Sequence, residues 1–218
     1  MKLHLALVVV TACSSAPPSV STVNTAAPAP FADDIRRAAV EYQQWGRVDA
    51  KPNIAPTLCR APLPNDHGAR AAVRMSTAVD APHQDKLYYL WASDKAAYLT
   101  ANAEIPLGFT IVKESFAAMP LAPDAPAPPP PVSTVSPAAE LAPITELRSN
   151  SGARFGIGTR SDLFVMQKVG DRADADHGWI YGTVSIDGTV TSSGRVDRCM
   201  TCHEDATRER LFGLAIAP

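Results

Sequence analysis

The sequence has no apolar run long enough to cross a bilayer as a helix. A run near its start, Leu5 to Val10, stops at Thr11, whereas a span needs about 20 apolar residues. An excess of charge is missing too. Twenty Lys and Arg stand against 22 Asp and Glu, for a formal net charge of −2, and the basic residues are scattered, so nothing supports a nucleic-acid surface. A second pair of metal ligands is also lacking. Besides Cys199 and Cys202 there is no Cys-x-x-Cys, and there is no His-x-x-x-His, which removes half of what a zinc site requires.

What the chain does have is Cys199-Met200-Thr201-Cys202-His203. Two thiols separated by two residues on a helical turn can add to the two vinyl groups of a haem, and the next imidazole then points at the iron. A thioredoxin-like redox pair would sit early in a βαβ unit. This motif instead closes at His203 of a 218-residue chain. The spacing therefore predicts one covalently attached haem c, anchored by Cys199 and Cys202 with His203 as the iron ligand.

Residues 1–12 read as a short export signal: Lys2, the apolar run, then small residues leading to Cys13. This stretch resembles a bacterial lipoprotein signal, which implies that Cys13 becomes the acylated N-terminus and gives membrane contact through a lipid anchor. The plainer alternative is secretion without lipid. Either reading takes the chain out of the cytoplasm, to the periplasm where c-type haem is attached. Residues 13–31 are dominated by Ala, Pro, Ser, Thr and Val and read as a flexible tether.

The folded part runs over residues 32–218. Ile35, Ala38, Ala39, Tyr42 and Trp45 recur at helical spacing and predict a helix over Ala32 to Val48, ended by Gly46. Cys59, in a proline-rich stretch, reads as a buried small hydrophobe. Lys86 to Ala92 predicts a strand, and Ser93 is expected to cap a helix from Asp94 to Asn102. In the strand Phe109 to Phe116, alternation puts Phe109, Ile111 and Lys113 on one face and Thr110, Val112, Glu114 and Phe116 on the other. Residues 119–143 are rich in Pro and Ala and read as a polyproline-like insertion, with a lid or docking arm as the functional alternative. Strands are expected at Leu163 to Val169, Trp179 to Ile186 and Thr189 to Arg195, the last two joined by an Asp187-Gly188 hairpin turn. A terminal helix is expected over Glu204 to Leu211. The predicted class is α+β, mainly β: a small antiparallel sheet with flanking helices and a C-terminal haem-bearing helix.

The strand Phe109-Thr110-Ile111-Val112-Lys113-Glu114, the strand containing Trp179, and the terminal Cys-x-x-Cys-His together resemble the cytochrome P-460 family. The likeness runs from Tyr42 to Phe212, interrupted by the insertion. It implies a β-rich, usually dimeric, periplasmic cytochrome with one haem. In the namesakes the strand lysine is cross-linked to the haem and hydroxylamine is oxidised; the related cytochromes c prime beta lack the cross-link and bind nitric oxide. Carried over, His203 is the proximal ligand and Lys113 the cross-linking candidate, against the plainer reading of a solvated lysine. Where the namesakes place an aromatic residue near the distal face, this chain has His83, which a distal role or an ordinary loop histidine would both explain. Asp171, Asp174, Asp176 and Glu146 are candidates for a proton relay. The expected partners are a small nitrogen-containing ligand or substrate, a redox protein and a second copy of the chain. An electron carrier with His83, Met119 or Met166 as second axial ligand is the alternative.

Overall fold

The computed structural model describes residues 29–48, 52–54, 86–100, 103–126, 129, 146–148, 153–206 and 209–212. The expected signal, Cys13, Cys59, His83 and most of the proline-rich insertion lie outside them.

Among the described residues the fold is mainly β, as expected. Eight strands form one sheet: β1 (Gly46–Arg47), β2 (Asn53–Ile54), β3 (Lys86–Ala92), β4 (Thr110–Leu121), β5 (Glu146–Arg148), β6 (Arg154–Lys168), β7 (Trp179–Val184) and β8 (Val190–Gly194). The main order is β1-β3-β4-β6-β7-β8, with β2 also on β3 and β5 also on β6. Every pairing is antiparallel. Three helices accompany it: α1 (Ala32–Glu41), α2 (Lys95–Leu99) and α3 (Asp197–His203). No helix among the described residues is long and apolar enough to cross a membrane.

The alternation expected in β4 divides the protein into two cores. Val112 and Phe116 join Leu87, Tyr89, Trp91, Leu163, Val165, Ile180 and Val184 beneath Ile35, Ala38 and Tyr42. Phe109 and Ile111 join Ala92, Tyr98, Met166, Trp179, Tyr181, Cys199 and Leu211 on the other side. Register places Lys113 between Leu90 of β3 and Phe164 of β6, so all three side chains belong to the second face.

Close approach of α1 depends on Gly182. A Cβ there would lie 2.5 Å from Cγ2 of Ile35, and Ile35 is fully buried. The helix is shorter than expected. It ends at Glu41, a 3-10 turn covers Tyr42–Gln44, and Gly46 opens β1 opposite Ala92 instead of terminating the helix. Inward capture explains the early stop: the Tyr42 hydroxyl donates to Glu114 Oε1 at 2.7 Å, and strand pairing then takes the backbone.

Other boundaries also move. Asp94, not Ser93, caps α2 by accepting from the Ala97 N–H at 2.9 Å. Ser93 Oγ accepts instead from the Thr110 N–H at 2.9 Å. The strand expected to end at Phe116 runs to Leu121, because Met119, Pro120 and Leu121 pair with Gly156, Phe155 and Arg154 of a β6 that begins well before Leu163. The helix expected over Glu204 to Leu211 is absent among the described residues there; α3 stops at His203 and turns follow.

Candidate functional site: a cleft beneath the Cys-Met-Thr-Cys-His helix

α3 begins where β8 releases the chain after Gly194, with Asp197 in its first turn favourable to the helix dipole. The i, i+3 and i+4 spacing puts Cys199, Cys202 and His203 on one side of this short helix. That side faces the second core. Both cysteines are buried, while Thr201 points outward and donates to the Asp197 carbonyl at 2.9 Å.

Between α3 and the sheet lies a cleft of about 100 Å³, part of it open to solvent. Strand residues Tyr88, Leu90, Ile111, Lys113, Phe164 and Met166 form one wall; Cys199, His203, Leu211 and Phe212 contribute from the other side. The structure thus brings Lys113, Cys199 and His203 to one space, although Lys113 and His203 are 90 residues apart (203 − 113).

The His203 ring is held in one orientation and one tautomer. Its Nδ1 lies 2.6 Å from the Arg210 carbonyl oxygen. Burial pushes the imidazole pKa down to about 4, against the raising effect of that carbonyl, and the Lys113 charge lowers it further. The ring is therefore neutral near pH 7. A carbonyl can only accept, so Nδ1 carries the proton and Nε2 keeps the free lone pair. Tyr181 and Phe212 flank the ring at centroid distances of 5.4 and 5.1 Å.

Residues 209–212 form a strap that supplies this carbonyl. Lys168 Nζ pairs with Glu209 at 2.8 Å, and Arg210 Nη2 donates to Asp176 Oδ1 at 3.1 Å. The Tyr98 hydroxyl donates to the Phe212 carbonyl at 2.8 Å. Asp176 is buried and also accepts from the Tyr181 hydroxyl at 2.8 Å. Burial and this acceptor raise the Tyr181 pKa above its ordinary value.

Lys113 is half-buried, with Nζ 4.0 Å from the Tyr88 ring centroid. Burial, with the nearby Lys86 charge, pushes its pKa down to about 7. The apolar wall thus supplies a substantial fraction of neutral amine at neutral pH.

The two cysteines differ. Cys199 is free and lines the cleft, with its thiol pKa raised to about 11 by burial. Cys202 is disulfide-bonded. A thioether at Cys202 requires that disulfide to be reduced first. With that reduction, an imidazole with Nε2 free, two thiols on one helical side and an apolar cleft suit a covalent haem. Among the described residues no three His, Cys, Asp or Glu side chains converge as a protein-only metal site.

The relay candidates separate. Asp171 is exposed, Asp174 forms an exposed pair with Arg172, and Glu146 is bound by Arg154 at 2.6 Å. Asp176 alone is tied to the site, through the strap. Arg154 also donates to the carbonyls of Ala122, Pro123 and Ala125, so the insertion starts from the end of β4 roughly 26 Å along the strand from Lys113. Met166 lines the cleft, while Met119 is exposed. The strap had no signal in the sequence: Glu209 and Arg210 belong to no motif. The chain matches no protein-family model and no curated protein.

Proposed function

We propose that the chain is an exported mono-haem cytochrome of the cytochrome P-460 kind, carrying haem c in this cleft and acting on hydroxylamine or binding nitric oxide. The observation that carries the reading is the convergence of Cys199, His203 and Lys113 on one apolar cleft. When bound, haem supplies the iron that takes a small nitrogen compound and accepts its electrons. The chain supplies the rest. His203 offers Nε2 from a ring held by the Arg210 carbonyl. Tyr88, Leu90, Phe164 and Met166 give the cleft an apolar wall, and the Lys113 amine, poised near pH 7, can accept or return a proton. The same neutral amine is what a cross-link to the macrocycle requires. The signal-like start and Cys13 support a periplasmic, lipid-anchored domain, from which a redox protein would collect electrons and which a second copy of the chain would join as a homodimer.

A second reading is favoured by Met166. Its position in the cleft wall suits an electron carrier with His203 and Met166 as axial ligands.

The test uses protein from a host that attaches c-type haem. The first reading expects a Soret shift with nitric oxide, or reduction of an artificial acceptor by hydroxylamine that falls roughly 100-fold in Lys113→Ala. A low-spin spectrum silent to nitric oxide, and opened by Met166→Ala, identifies the carrier. Protein that stays colourless rejects both.

A further inference from the structure

Three side-chain contacts fasten the strap. Glu209 and Arg210 both take left-handed backbone conformations, with φ of 49° and 56°. Non-glycine residues hold such conformations where their surroundings over-determine them. Here the surroundings are specific: Lys168 on Glu209, Asp176 on Arg210, and Tyr98 on the Phe212 carbonyl. The residue at the middle of the strained pair's grip, Arg210, presents its carbonyl to His203 Nδ1.

Asp176 makes the arrangement more than a staple. Its two oxygens are divided, Oδ1 accepting from Arg210 and Oδ2 from the Tyr181 hydroxyl. A buried carboxylate is costly unless so partnered. One side chain therefore fixes both the acceptor of His203 and an aromatic ring against its imidazole.

We propose that Asp176 and Arg210 are positioning residues for His203, holding the Arg210 carbonyl on Nδ1–H and so setting how strongly Nε2 donates to a metal. This rests on the haem reading above. Hydrogen bonding at the outer nitrogen fixes ring orientation and raises ligand basicity. A more basic Nε2 favours the oxidised iron, so the midpoint potential is held low. Loosening the strap weakens that donation.

The test compares full-length, haem-loaded protein: wild type, Arg210→Ala, Arg210→Lys and Asp176→Asn. Arg210→Ala removes the tether and keeps the carbonyl, and its side chain is partly exposed, which guards against a variant that fails to fold. Intact mass reports covalent haem, resonance Raman reports the iron–histidine stretch, and a redox titration gives the midpoint potential. The expected result is haem retained in all four, a lower stretching frequency and a more positive midpoint in Arg210→Ala and Asp176→Asn, and recovery of both in Arg210→Lys. Unchanged frequency and potential in Arg210→Ala, with haem attached, overturn the proposal. Wild type without covalent haem overturns the haem reading and this inference with it, and the mass measurement tells the two failures apart.

Discussion

Adjacent residues of β4 meet opposite treatment on the two faces of the sheet. On the α1 face, Glu114 is 6% exposed and its carboxylate takes hydrogen bonds from Tyr42 at 2.7 Å and Trp91 at 3.1 Å, with Arg160 Nε at 3.4 Å. On the cleft face, Lys113 meets aromatic rings, and among the described residues no carboxylate forms an ion pair with it. One face satisfies a buried charge; the other lowers the pKa of one and leaves space beside it. Fully partnered polar groups serve to define a unique core, whereas a desolvated amine in a cleft is the mark of a working group. The closed face is thus expected to govern stability and the open face to govern chemistry.

Substitutions test that division. Glu114→Ala strands the Tyr42 and Trp91 donors, removes the ion pair with Arg160, and should lower unfolding free energy by about 3 kcal/mol in urea titrations. Gly182→Ala forces Ile35 and α1 outward and should cost about 2 kcal/mol by the same measurement. In both variants any haem spectrum should be unaltered; a spectral change as large as the stability change would break the comparison.

On the cleft face the sign reverses. The Lys113 pKa falls from 10.5 to about 7 on folding, so folding releases a proton between those values. The penalty is complete below pH 7, shrinks as pH rises, and is gone above 10.5. Lys113→Met should therefore stabilise haem-free protein at pH 6, on the order of 1 kcal/mol once partial exposure is discounted, and the gain should fade by pH 10. A constant difference across that range would place the amine in solvent. The smallest effect is expected at Asp94→Ala, where loss of the α2 cap should cost about 0.5–1 kcal/mol and leave Lys113 unchanged.

The legible parts were those set by local pattern. Alternation in Phe109 to Phe116 assigned Lys113 and Glu114 to their faces, and the aromatic run Lys86 to Ala92 is β3 residue for residue. Asp187-Gly188 turns β7 into β8, with Gly188 at φ 86°. The cysteine spacing put Cys199 and His203 together. What was hidden depends on partners distant in sequence. Pro120 and its neighbours look like polyproline until β6 pairs with them. Trp45 continues a helical pattern until pairing of Gly46 with Ala92 takes the backbone. Glu209 to Leu211 read as part of a terminal helix until Asp176, Lys168 and Tyr98 take hold of the chain around them.

The account turns on whether the open face holds a covalent haem through the α3 cysteines. Mass spectrometry of the tryptic peptide bearing Cys199 and Cys202, from protein matured in a c-type haem-attaching host, decides it. The account predicts a peptide heavier by one haem, with neither thiol alkylatable and no disulfide at Cys202. A peptide of unmodified mass, with Cys199 free and Cys202 still disulfide-bonded, would contradict it.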